Sequence, residues 1–250
     1  MMGGNLRLAA RLLALVAALA GALLLHGLWR LCRLPSPWPR LFLGASARIV
    51  GARLHVIGTP LRRNVVFLSN HLSWIDILLL AAATGTTFVA KGELARVPLI
   101  GWLCTLNRTI FVAREERLGI AGQIERLRLA LRQGWAVTIF PEGTTGDGRT
   151  LLPFKASLLA ALDPPPAGTR VQPIRIDYGA ATDELAWVGD EPGQSHALRV
   201  LRRRGRFDAT LHCLAAFDPT ICGGRKAIAA AAQAAIAAAA PRKTSTMDRI

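Results

Sequence analysis

Val65-Val66-Phe67-Leu68-Ser69-Asn70-His71-Leu72-Ser73-Trp74-Ile75-Asp76 is the stretch on which the reading of this chain turns. Val65 to Leu68 has the length and β-branching of a buried strand, and Trp74 to Ala83 is an apolar run of helix length. Strand, short polar loop and helix make the βα unit of an α/β fold, and such sheets place their ligand crevice at the carboxyl ends of strands. Ser73 is spaced to cap the helix with Asp76 three residues on, a capping box with Asp in the Glu position. His71 lies just before that cap, where the first helical turn can fold Asp76 back towards its imidazole. A carboxylate that accepts from one ring nitrogen fixes the tautomer and leaves the other nitrogen as a base. Standing alone, His71 would read as a hydrogen-bonded loop histidine.

The pattern repeats outward from this unit. Strand-like runs are predicted at Arg48–Ile57, Asn64–Leu68, Thr86–Ala90, Thr109–Val112, Trp135–Phe140, Val171–Ile176 and Phe207–Ala215. Glu115–Gln133 reads as an amphipathic helix, and another is expected to start near Phe154 and stop before Pro164. Strands alternating with helices predict an α/β fold: a single domain with a mixed, mostly parallel sheet. The 250 residues allow one sizeable core plus an appendage. A 52% hydrophobic content excludes intrinsic disorder despite the net charge of +15. Cys32, Cys104, Cys213 and Cys222 lie far apart with no CxxC pair, so a disulfide scaffold or cysteine metal site is not expected, nor any other metal site.

The appendage is N-terminal. Leu12 to Leu25 contains only Leu, Ala, Val and Gly, and the uncharged run continues to Trp29. At 1.5 Å per residue it reaches about 27 Å, enough for a thin or tilted span. Arg7 and Arg11 precede it, Arg30, Arg33 and Arg40 follow, and Trp29 and Trp38 sit where interfacial aromatics belong. The expectation is a retained membrane helix over residues 1–34, spanning or re-entrant. A signal peptide and a buried helix are the competing readings, although no small-x-small cleavage site closes the run. The excess positive charge after the helix favours an inner or plasma membrane protein whose main domain faces the cytoplasm. Leu34–Pro39 reads as a linker, residues 35–222 as the catalytic domain, and residues 223–250 as an Ala-rich helix (Ala227–Ala240) with a polar, frayed tail from Pro241.

The Asn70-His71-x-x-x-x-Asp76 pattern resembles the first motif of the glycerolipid acyltransferase family, whose members acylate glycerol phosphates and lysophospholipids. Phe140-Pro-Glu-Gly-Thr144 is similar to its Phe-Pro-Glu-Gly-Thr-Arg segment, and Leu152-Pro-Phe-Lys155 to the run that follows. Ala90-Lys91-Gly-Glu93-Leu94 looks like its connecting segment, Phe111-Val-Ala-Arg114 like the tail of its second motif, and Val171-Gln-Pro-Ile174 like its fourth. Motifs in this order across roughly Ile49–Ile176 identify the chain as a resembling member. The resemblance implies a membrane-bound O-acyltransferase using acyl-CoA or acyl-carrier protein as donor, with no bound cofactor. It implies His71 and Asp76 as catalytic residues, Glu142, Gly143 and Thr144 in positioning the acceptor, and Arg114 and Lys155 as cations for a phosphate.

Acyl transfer from a thioester to a hydroxyl requires a base and a stabilised oxyanion, and no protein nucleophile. Ser69 and Ser73 therefore need no catalytic role, and no Gly-x-Ser-x-Gly elbow is present. The loop Glu142–Gly148 carries three glycines whose backbone N–H groups can turn towards an anion or headgroup. Two positions depart from the family pattern. Thr145 stands where arginine is usual, and Arg108 where the second motif carries glycine. Arg108 could supply the missing charge; otherwise the acceptor lacks a simple phosphate headgroup. The family's commonest acceptor, 1-acyl-sn-glycerol-3-phosphate, is the first expectation. Lyso-ornithine lipid, an aminolipid without phosphate, is the alternative, because the Glu-Gly-Thr-Thr form resembles members that acylate it.

Arg199, Arg202, Arg203, Arg204 and Arg206 form a cluster outside the resemblance. It fits anionic lipid headgroups, the phosphates of an acyl carrier, or a solvated basic face. Only four of the 31 basic residues are lysine, so part of the basicity reflects an Arg-rich composition. A basic, membrane-anchored module binding anionic lipid or nucleic acid would explain the charge but not the His71–Asp76 spacing. No base-reading motif or stacking pattern supports a nucleic-acid partner.

Overall fold

The computed structural model describes residues 2–112 and 117–240. Its centre is a seven-stranded sheet built from β1 (Ala52–Ile57), β2 (Val65–Ser69), β3 (Thr87–Lys91), β4 (Ile110–Val112), β5 (Ala136–Ile139), β6 (Arg170–Asp177) and β7 (Phe207–Cys213). The strand order is β1-β7-β6-β2-β5-β3-β4, and only the β6–β7 pair is antiparallel. The sheet is thus mixed and mostly parallel, as the sequence predicts. β2 lies between β5 and β6, with Leu68 level with Ile139 on one side and Pro173 on the other. All five β2 residues are buried, because helices cover both faces of the sheet and leave no polar side to the strand.

The helices are α1 (Met2–Leu31), α2 (Trp38–Ile49), α3 (Ile75–Thr84), α4 (Pro98–Leu106), α5 (Arg117–Arg132), α6 (Thr182–Leu185), α7 (Gly193–Arg202) and α8 (Arg225–Ala238). Side chains alternate across each strand, which divides the core in two. Val65, Phe67, Ile174 and Ile176 pack against α3 residues such as Ile75 and Leu79. Val66, Leu68, Val137, Ile139 and Val171 pack with Leu127 and Leu131 of α5 and Ile228 and Ala232 of α8. The alanine-rich C-terminal helix is therefore part of the second core layer, its small side chains permitting close approach.

Several local expectations are corrected. Residues 48–49, expected in the first strand, close α2, which begins inside the presumed Pro-rich linker. Pro39 sits in its first turn, where a missing N–H costs nothing. The stretch expected as a helix near Phe154 is a 3₁₀ segment, Ala156–Leu162. α4 and α7 were not anticipated. The expected helix start at Glu115, the candidate Arg114 and the tail from Pro241 lie outside the described residues.

α1, about 45 Å long at 1.5 Å per residue, lies along the domain. Gly4, Leu8, Arg11, Leu15, Leu19, Leu23 and His26 form a half-buried stripe, while Leu6, Leu13, Val16, Leu24, Leu28 and Leu31 face outward. Near its start, Arg11 donates to the carbonyls of Val200, Leu201 and Gly205, and Arg7 to that of Arg202. Near its end, His26 Nδ1 lies 2.7 Å from Ser36 Oγ, and Trp29 packs edge-on against Trp38. Two of the five arginines of the cluster are paired within the fold: Arg199 with Glu191 and Arg203 with Glu184.

Candidate active site

Three adjacent strands end at one edge of the sheet. β2 delivers Asn70 and His71, β5 delivers Phe140 and Glu142, and β6 delivers Tyr178. Asn70 prolongs the sheet by its side chain: its Nδ2 donates to the Ile176 carbonyl at 3.0 Å and its Oδ1 accepts from Ile176 N at 2.7 Å. That pairing sets where the chain turns, so His71 emerges beside the strand ends instead of continuing along β2.

Asp76 lies in the first turn of α3 and is fully buried. Its Oδ2 accepts from Leu72 N at 2.6 Å and Ser73 N at 3.0 Å and lies 2.8 Å from His71 Nδ1. Tyr178 Oη donates to Oδ1. Backbone N–H groups can only donate, so Oδ2 is an acceptor and His71 must present Nδ1–H to it. The remaining ring nitrogen, Nε2, is left as a proton acceptor. The His71 ring stacks on Phe140 with centroids 3.9 Å apart and planes 15° from parallel, which fixes its second torsion. Half of the expected capping box is present: Asp76 reaches back to Ser73 N–H, but α3 begins at Ile75 and Ser73 Oγ meets Ile75 N only at 3.4 Å. Ser69 and Ser73 are fully buried and not placed as nucleophiles.

Glu142 is buried behind His71. Its Oε1 accepts from His71 N at 2.9 Å and its Oε2 from Leu152 N at 3.1 Å, so the carboxyl braces both loops. Burial pushes its pKa up, against the pull of those two hydrogen bonds. Gly143 adopts φ +71, a left-handed turn that glycine takes without strain, immediately after the brace. Gly146 N then donates to the His71 carbonyl at 2.7 Å, tying the glycine-rich loop directly to the His71 loop. Thr144 is exposed on that loop, and Thr145 Oγ1 donates to the Trp187 carbonyl.

Not every expected residue converges. Arg108 precedes β4 and lies over the ring of Trp135, which precedes β5, at 5.0 Å. Both are at the amino ends of parallel strands, so Arg108 occupies the opposite end of the sheet from His71. Its φ of +56 explains the usual glycine there, since side chains disfavour the left-handed region. Lys155 is exposed beyond the loop, with its backbone N bonded to the Pro141 carbonyl. Tyr178, the chain's single tyrosine, was missed: burial and Asp76 raise its pKa well above the usual value and hold it as a neutral donor. Its position directly after the fourth motif's strand is the only sequence signal that could have flagged it. A second buried histidine, His196, accepts from Trp74 Nε1 and contacts the Leu185 carbonyl, so both ring nitrogens are engaged in packing α7 against the active-site helix.

The acyltransferase family model matches residues 53–177. A lyso-ornithine lipid O-acyltransferase of Rhodobacter capsulatus is 34% identical over 94% of this chain and 90% of its own. A 1-acyl-sn-glycerol-3-phosphate acyltransferase of Neisseria gonorrhoeae is 35% identical over 46% of this chain and 44% of its own. The crystal structure of the 1-acyl-sn-glycerophosphate acyltransferase PlsC from Thermotoga maritima superposes with a TM-score of 0.61, covering 80% of this chain and 76% of that one at 22% identity, a likeness of fold.

Proposed function

This chain belongs to the acyltransferase family, and we propose that it acylates the free hydroxyl of a lyso-ornithine lipid. It is a lysolipid acyltransferase; the finer choice of acceptor rests on one observation. The likeness to a lyso-ornithine lipid O-acyltransferase runs nearly the full length of both chains, whereas the likeness to a glycerophosphate-type enzyme stops at about half. The site agrees with it, because position 145 offers no cation and its hydroxyl is spent on the Trp187 carbonyl. The second reading, 1-acyl-sn-glycerol-3-phosphate, is favoured by Lys155, an exposed cation beside the loop. Acyl-CoA or acyl-carrier protein is the proposed donor, and the chemistry calls for no bound cofactor.

In the proposed reaction His71 Nε2 takes the acceptor's hydroxyl proton as the oxygen attacks the thioester carbonyl carbon. The C–S bond of the tetrahedral intermediate then breaks, and the thiolate recovers the proton from His71. Asp76 holds the imidazole in the required tautomer and stabilises its charged form. The deciding experiment is acyl transfer by the purified protein to both lysolipids in parallel, each with acyl-CoA and acyl-carrier protein. A missing charge-assisted contact to phosphate costs about 1.5–3 kcal/mol, so kcat/KM should favour lyso-ornithine lipid roughly ten- to hundredfold. A preference for lysophosphatidate would reverse the assignment.

We further propose that α1 lies in one leaflet of the membrane, with the domain on its inner flank. Its start is bonded to α7 and the loop after it, its second half packs beside α2 and α4, and its outer face is apolar from Leu6 to Leu28. α4 continues that surface with Leu99, Ile100 and Trp102; its Leu103 and Leu106 line a pocket with Leu19 and Leu23 of α1. Leu13 and Val16 are 72% and 63% exposed, so Leu13→Glu with Val16→Glu should leave the fold intact. Each acidic side chain costs up to about 2.5–3.5 kcal/mol at the centre of an apolar helix. Co-sedimentation with vesicles containing anionic lipid should therefore fall at least tenfold; unchanged partitioning would remove α1 as the anchor.

A further inference from the structure

Behind Glu142 the glycine-rich loop closes over a narrow, partly open cleft with room for about one water-sized oxygen, bounded by Asn70, Leu72, Glu142, Gly146, Leu151 and Arg175. Arg175 projects from β6 on the sheet face opposite Ile174 and Ile176, and is only 9% exposed. Its Nε is buried with no hydrogen-bond partner among the described residues, and its Nη1 reaches only the Ile236 carbonyl, at a long 3.4 Å. A guanidinium stays charged inside proteins, and a buried cation with unmet donors is unfavourable until an anion joins it. The nearby acids do not complete it. Glu142 spends both oxygens on backbone N–H groups, and Asp177, two residues along β6, accepts from Gly179 N and acts on Arg175 through its field. Burial lowers the Arg175 pKa, the direction expected of a cation short of partners.

The cleft borders the loop that carries His71. Leu72 follows His71 in the chain, and Gly146 N holds the His71 carbonyl. We propose that Arg175, with the glycine-rich loop, forms the subsite for the anionic group of the acceptor headgroup, a carboxylate or a phosphate, while the acceptor hydroxyl sits at His71. An ornithine headgroup brings a carboxylate and a glycerophosphate headgroup brings a phosphate. The subsite offers this one cation from β6, and position 145 adds no second one for a phosphate. The acceptor class rests on the proposed function above; the role of Arg175 does not.

The test compares wild type with Arg175→Met and Arg175→Lys in steady-state kinetics and thermal unfolding. Three acceptors are used: lyso-ornithine lipid, the same lipid with its carboxylate amidated, and lysophosphatidate. Arg175→Met should raise the acceptor KM roughly ten- to hundredfold, with kcat changed far less and the unfolding temperature not lowered. Arg175→Lys, which keeps the charge, should recover part of the loss. Wild type should lose a similar factor on the amidated lipid, and Arg175→Met should lose nothing further there. The same KM loss seen only with lysophosphatidate would support the subsite with phosphate as its ligand. Unchanged KM in Arg175→Met on every acceptor turned over would overturn it, as would equal losses from amidation in both proteins. If wild type acylated neither natural lipid, the functional reading would fall. Inorganic phosphate would then decide the subsite: it should raise the unfolding temperature of wild type but not of Arg175→Met, and equal shifts or none would refute it.

Discussion

His71→Ala should abolish acyl transfer while leaving a folded, membrane-associated protein. The substitution removes the imidazole proposed to take the acceptor's proton, and general-base catalysis is worth roughly 10²- to 10⁴-fold. The fold survives because Asp76 keeps three of its four hydrogen-bond donors: Leu72 N–H, Ser73 N–H and the Tyr178 hydroxyl. The stacking partner Phe140 loses one face but keeps its neighbour Phe88, whose ring lies parallel to it at 6.3 Å. The loss should fall on kcat, with the acceptor KM little changed, since a proton transfer is made only in the transition state. Single-turnover transfer from a preloaded donor, beside circular dichroism and vesicle co-sedimentation, is the measurement. Activity within a few fold of wild type would end the mechanism.

Asp76→Asn should lower kcat by roughly two to four orders of magnitude, through loss of charge and without loss of the tautomer. Leu72 and Ser73 N–H both point at Oδ2. They hold an amide oxygen in that place and turn the amide nitrogen towards Tyr178, whose hydroxyl can accept from it. His71 Nδ1–H then still has an acceptor, and Nε2 remains a base. What disappears is the negative charge 2.8 Å from the imidazolium that forms on proton transfer. Breaking a buried pair by removing one charge costs about 3–5 kcal/mol, which sets the size of the fall. Asp76→Ala should be worse in a different way: it strands three buried donors, Leu72 N–H, Ser73 N–H and the Tyr178 hydroxyl, at about 1–3 kcal/mol each, comparable to the whole stability of a domain. Thermal unfolding should separate the two, with Asp76→Asn near wild type and Asp76→Ala strongly destabilised. Wild-type turnover by Asp76→Asn would show that the carboxylate's charge does no catalytic work.

Local pattern carried much of the architecture. The apolar run Val65–Leu68, the polar loop and the helix after it appear where periodicity puts them, because each is decided by residues close in sequence. The His71–Asp76 contact spans five residues and one helical turn, so spacing alone implied it. The helix Trp38–Ile49 was hidden by its own prolines, which read as a linker although one occupies a helix's first turn. Pro98 opens α4 in the same way.

The sequence by itself determined the α/β class, the His71–Asp76 pair, the glycine-rich loop and the apolar N-terminal helix. Each is written in neighbouring residues whose backbone geometry brings them together. The tertiary structure alone decided which distant groups join them. Placing β2 between β5 and β6 brings Tyr178 to Asp76 across 102 residues, braces His71 with Glu142 across 71, and buries Arg175 beside the loop. The same sheet order sends Arg108 to the far end, because a residue that precedes a parallel strand cannot reach the edge where its neighbours finish. Strand order is set by how two core layers pack over the whole sheet, and no short stretch of sequence contains that information.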